Sequence, residues 1–92
     1  MSRIIVITGA TGKFGKILIR NFLDKGDVVV AISRSKKLLD QLKFGKKSKH
    51  QNLYTISVDL MKENSVQRAI KMIKNFGLKP DSLINNARSL DY

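Results

Sequence analysis

Three glycines at 9, 12 and 15, with Thr11 and Lys13 between them, are the residues of this 92-residue chain best suited to chemistry. The chemistry they suit is the holding of a phosphate. They follow a short β-branched run, Ile4-Ile5-Val6-Ile7-Thr8, and lead into Lys16-Ile17-Leu18-Ile19-Arg20-Asn21-Phe22-Leu23, which has the spacing of an amphipathic helix. Strand, glycine turn and helix in that order present backbone N–H groups to a pyrophosphate at the helix N-terminus, where the helix dipole favours an anion. Gly9 allows the tight turn out of the strand, Gly12 lets a phosphate approach the backbone, and Gly15 lets the helix pack closely on the sheet. Thr11 adds a hydroxyl and Lys13 a positive charge. The competing reading is a plain glycine-rich connection with no ligand.

A second group lies at the end of the next apolar run, in Ala31-Ile32-Ser33-Arg34-Ser35-Lys36-Lys37. A dinucleotide fold that takes NAD usually offers a carboxylate here, about 20 residues after the glycines, for the ribose 2′-hydroxyl. None is present. Ser33 and Arg34 suit a 2′-phosphate instead, the arginine through paired N–H donors. The expected cofactor is therefore NADP(H) in preference to NAD(H). The alternative is a surface arginine that follows a strand.

The elements that must position these groups alternate along the chain. Strands are expected at Arg3 to Thr8, Asp27 to Ser33, Leu53 to Val58 and Asp81 to Asn85. Helices are expected at Gly12 to Lys25, capped by Gly26, from an N-cap at Ser35 to about Phe44, and from Asn64 or Ser65 to Phe76, ended by Gly77. In the last helix Val66, Ala69, Ile70 and Ile73 fall at helical spacing. This β-α-β-α-β-α-β order predicts an α/β Rossmann-type, doubly wound parallel sheet with strand order 3-2-1-4. Residues 1–92 form one such domain. Its fourth strand should lie beside the first with its outer edge left free, so the domain reads as truncated.

Composition narrows the function classes. There is no cysteine, which excludes disulfides and thiolate zinc sites. No apolar run approaches the ~18 residues of a membrane span, and Ile4 to Ile7 is too short for a signal peptide. A cytoplasmic protein without a membrane partner is expected. The formal charge is +11, with Arg34, Lys36, Lys37, Lys43, Lys46, Lys47 and Lys49 crowding one segment. For Lys43 to Lys49 a solvated helix and a lysine-rich loop are preferred to a funnel for an anionic cofactor or a nucleic-acid patch, since no aromatic residues alternate with the charges for base stacking. His50 lies in the same polar loop.

Taken together, Thr8-Gly9-Ala10-Thr11-Gly12-Lys13-Phe14-Gly15, Val58-Asp59-Leu60 and Asp81-Ser82-Leu83-Ile84-Asn85-Asn86-Ala87 resemble the short-chain dehydrogenase/reductase family, in its N-terminal part. The resemblance implies that Asp59 meets the adenine amino group, with the backbone of Leu60 against the ring. It places Asn86 and Ala87 beneath the adenosine ribose, and Phe14 over the phosphates or the nicotinamide side. Asn85 would brace the central sheet. For Asp59 the competing role is a loop or capping carboxylate, for Asn85 a plain strand tie, and for Phe14 a place in the core. Two features depart from one uniform pattern. The glycine spacing is that of the family's extended and atypical branches, whereas Asn-Asn-Ala belongs to ordinary alcohol and carbonyl reductases. Arg88 also stands where that branch has glycine, which brings a cation near the nicotinamide side and would favour an anionic substrate.

The family's chemistry implies hydride transfer between the nicotinamide and a small carbonyl or alcohol substrate, using a serine and a Tyr-x-x-x-Lys element. Tyr54 is followed at that spacing by Val58, and Tyr92 is the last residue, so the element is absent from these 92 residues. No catalytic residue is assigned, and no metal site is expected. The alternative function is a non-catalytic nucleotide-binding or interaction module. A homo-oligomer is expected only of a chain that continues past Tyr92.

Overall fold

A computed structural model describes residues 3–42 and 52–85 of the chain. The elements are β1 (Ile4–Thr8), α1 (Lys13–Asp24), β2 (Val28–Ser33), α2 (Lys36–Gln41), β3 (Leu53–Ser57), α3 (Ser65–Asn75) and β4 (Ser82–Asn85). The four strands form one parallel sheet in the order β3-β2-β1-β4, as the alternation predicts. The second helix, expected to about Phe44, has its C-cap at Leu42, and the lysines at 43, 46, 47 and 49 and His50 lie outside the described residues.

Both faces of β1 and β2 are covered, which explains why these central strands are apolar at consecutive positions. Side chains alternate across a strand. Ile5, Ile7, Val29 and Ala31 therefore meet Ile19 of α1 and Leu39 of α2 on one side. Val6, Val30, Ile32 and Ile56 meet Ala69 and Ile73 of α3 on the other. The apolar stripe of α3 is wider than its seat. Val66 and Ile70 share its helical spacing but remain about half exposed, at 52% and 49%. Leu83 on β4 is exposed as well, and the outer edge of β4 pairs with no other described strand.

Helix ends follow local chemistry. Ser35 caps α2 by accepting from the Leu38 N–H at 3.1 Å. Gly26 follows α1 and donates its N–H to the Leu23 carbonyl at 3.0 Å. The start of α3 is Ser65, with Asn64 as N-cap in a left-handed conformation that asparagine tolerates better than most residues.

Arg3 and Asp27, expected within strands, instead stand just before them. The Asp27 carboxylate accepts from the Arg3 backbone N–H at 3.2 Å and from its guanidinium at 3.1 Å, clipping together the starts of β1 and β2. Asp81 does the same on the other flank, accepting from the Ile4 N–H at 2.8 Å. The side-chain hydrogen bond from Arg3 is the main reason that the Asp27 pKa lies below the ordinary value for an aspartate. A carboxylate whose pKa is lower in the folded state stabilises the fold above its unfolded pKa, and that contribution fades as pH falls through the folded value. Wild-type stability is therefore expected to fall below about pH 4, and Asp27→Asn should flatten that part of the profile. Urea denaturation at pH 3 to 7 checks this. Parallel profiles for the two proteins would remove the role given to Asp27.

Candidate functional site

The C-terminal ends of β1, β2 and β3 bring three loops together. They are the glycine turn after Thr8, the Ser33–Ser35 turn after β2, and the Val58–Met61 segment after β3. In an open parallel sheet this rim is where ligands bind.

The glycine turn is shaped by two constraints. Gly9 has φ 61°, the left-handed region that leaves a strand sharply. Gly15 lies in the first turn of α1, where a Cβ would come within 2.5 Å of the Ala10 carbonyl oxygen and 2.7 Å of the Gly9 oxygen. The helix thus starts in direct contact with the turn that precedes it. Gly12 is the N-cap and makes no side-chain cap bond, so the first-turn N–H groups of α1 are left to solvent or ligand. These features fit a pyrophosphate, which needs donors and close backbone approach. Lys13 is exposed beside them, and Phe14 is 70% exposed, which excludes a place in the core.

The turn is tied to the end of β2. The Ala10 N–H donates to the Ile32 carbonyl at 3.1 Å, and the Thr11 and Ser33 hydroxyls are 2.9 Å apart. Thr11 and Ser33, chosen from separate stretches of sequence, are therefore direct partners. Ser33 Oγ also accepts from the Ser35 N–H at 3.3 Å. Arg34 is exposed, and no described carboxylate pairs with its guanidinium. Its backbone carbonyl accepts from the Ser57 hydroxyl at 3.1 Å. Sequence reasoning passed over Ser57. The signal was a strand end opposite Ser33, visible only once the β2–β3 register pairs the two serines.

After β3, Asp59 Oδ1 accepts from the Met61 N–H at 3.0 Å, so one carboxylate oxygen works in the local turn and the other makes no bond to a described residue. Leu60 is partly buried and packs against the apolar cluster beneath α3. Asn85 ends β4 and its Oδ1 accepts from the Thr8 hydroxyl at 2.9 Å, joining β4 to β1. Asn86, Ala87 and Arg88 lie outside the described residues. Among the described residues, no group of acidic or histidine side chains could hold a metal, and no helix is long and apolar enough to cross a membrane.

The family model for short chain dehydrogenases matches residues 3–89. The chain belongs to the short-chain dehydrogenase/reductase family. NADP-dependent 3-hydroxy acid dehydrogenase YdfG of Escherichia coli is 30% identical over 84 residues, which cover 91% of this chain and 33% of that protein. Among solved structures, serine dehydrogenase from Escherichia coli matches with a TM-score of 0.78 at 30% identity, over 91% of this chain and 38% of the other. A 4-hydroxyisoleucine dehydrogenase complexed with NADH matches with a TM-score of 0.79 at 27% identity, over 94% and 34%. The chain spans about a third of the length of these relatives.

Proposed function

We propose that these residues are the NADP(H)-binding part of a short-chain oxidoreductase that transfers hydride between the nicotinamide and a carbonyl or alcohol substrate. The observation that carries the reading is the end of β2. There the Ser33 hydroxyl meets Thr11 of the glycine turn at 2.9 Å, and the next residue is an exposed arginine where an NAD-binding fold would carry a carboxylate. The NADP dependence in the name of YdfG supports the choice, while the NADH-bound relative marks NAD(H) as the cofactor to test against it.

Each residue has a role in this reading. The first-turn N–H groups of α1, left open by Gly12, take the pyrophosphate, with Gly9 and Gly15 shaping the turn and Lys13 adding charge. Thr11, Ser33 and Arg34 take the adenosine ribose and its 2′-phosphate. Asp59 has one carboxylate oxygen that bonds no described residue and takes the adenine amino group, and Leu60 lies beside it. Phe14, exposed at the mouth of the turn, shields the phosphates. By the family resemblance, Asn86 and Ala87 are assigned to the adenosine ribose and Arg88 to the nicotinamide side. The bound nicotinamide supplies the hydride chemistry, and these residues bind and orient it.

Substrate activation falls to a Tyr-x-x-x-Lys element that these 92 residues do not contain. The test is the intact mass of the polypeptide in its own cells. A mass well above 10.4 kDa, with NADPH oxidation by the isolated protein in the presence of carbonyl compounds, is expected. A 10.4 kDa product that binds NADPH without oxidising it would leave a binding module in place of an enzyme.

A further inference from the structure

We propose that Ser57 is a positioning residue for 2′-phosphate recognition, acting through the peptide unit that follows Arg34. The inference rests on the reading that Arg34 takes the 2′-phosphate. The carbonyl of the Arg34–Ser35 peptide accepts from the Ser57 hydroxyl at 3.1 Å, and the N–H of the same peptide donates to Ser33 Oγ at 3.3 Å. That peptide plane is clamped at both ends. Its orientation sets ψ of Arg34 and, with φ, the direction in which the arginine side chain leaves the backbone. Ser33 Oγ is in turn 2.9 Å from Thr11 Oγ1. A continuous hydrogen-bonded path thus runs from β3, the edge strand, through the Arg34 turn to the glycine turn.

Among the described residues, no other hydrogen bond holds this peptide. Ser33 is held by strand pairing, its carbonyl accepting from the Val58 N–H at 3.0 Å, and Ser35 is held as the cap of α2. Between them, the Arg34 guanidinium pairs with no described carboxylate, so the backbone is what fixes the root of its side chain. Ser57 is exposed, and water can satisfy the Arg34 carbonyl in its absence, so the cost to folding is small. The cost falls on preorganisation, because an arginine with a looser backbone loses more freedom on binding.

The experiment is calorimetric titration of the 92-residue chain with adenosine 2′,5′-bisphosphate and adenosine 5′-monophosphate, which differ only in the 2′-phosphate. Ser57→Ala and Ser57→Val should each weaken the bisphosphate about two- to tenfold and the monophosphate by less than about twofold. Ser57→Thr, which keeps the hydroxyl and matches valine in shape, should restore wild-type preference. A merely structural serine would move both ligands together, or leave both unchanged, and either result overturns the proposal. Arg34→Ala separates the two levels of the account. If it abolishes the preference while Ser57→Val keeps it, the Arg34 reading stands and the Ser57 proposal falls. If wild type shows no preference, or Arg34→Ala retains it, both fall.

Discussion

Gly15→Ala should lower stability by about 3 kcal/mol or more, and the melting temperature by roughly 12–24 °C. Two effects oppose each other. Alanine is the better helix former, which favours the substitution by about 1 kcal/mol in the interior of α1. Against this, the new Cβ would sit 2.5 Å from the Ala10 carbonyl oxygen, 2.7 Å from its carbon and 2.7 Å from the Gly9 oxygen. All three are backbone atoms of one tight turn, so no side-chain rotamer relieves the overlap. Either α1 moves off the sheet, exposing Ile19 from the core, or the turn opens. The overlap wins, because a domain of this size has only about 5–14 kcal/mol of stability to lose from.

Gly12→Ala is the control. There the nearest atom to a new Cβ is the Gly9 oxygen at 3.5 Å, an ordinary contact, so thermal denaturation should show a change of less than about 1 kcal/mol. Its effect belongs to binding, since the methyl group would stand at the open N-terminus of α1. A Gly15→Ala protein as stable as wild type would mean that α1 does not start in contact with the turn.

The second large effect is on the ligand. Arg34→Ala should weaken NADPH about ten- to a hundredfold, because a hydrogen bond to a charged group contributes about 1.5–3 kcal/mol. NADH, which lacks the 2′-phosphate, should change by less than about twofold. Stability should be untouched, since Arg34 is exposed and its carbonyl bond to Ser57 needs no side chain. Fluorescence titration with the two reduced cofactors reads the difference. Equal losses for both would show that Arg34 supports the turn as a whole and not the phosphate.

Much of the architecture could be read before any coordinates. Unbroken alternation of apolar strands and amphipathic helices leaves little choice of topology, and parallel strands buried on both faces carry a dense apolar signal in Val28 to Ile32. What escaped depends on neighbours distant in sequence. Val66 and Ile70 have the same spacing as Ala69 and Ile73, yet only the latter two are covered, because helical periodicity says which face is apolar and not how much of it is met. Arg3 and Asp27 look like strand residues and serve as a clip between strand starts.

The site divides in the same way. The glycine turn and Arg34 stand out because their types are unusual for their places. Ser57 does not, because its role depends on the register that sets it opposite Ser33, and a polar residue at a strand end has many ordinary uses. For Asp59 the local turn is visible, with Oδ1 accepting from the Met61 N–H, while Oδ2 makes no bond to a described residue.

Thermal denaturation with each cofactor tests most directly whether the chain binds NADP(H) in preference to NAD(H). NADPH at a hundred times its dissociation constant should add about 2.7 kcal/mol and raise the melting temperature by roughly 10–20 °C. NADH at the same concentration should give no more than about half that shift. Equal shifts would contradict the role of Arg34, and no shift from either cofactor would contradict nucleotide binding by this chain.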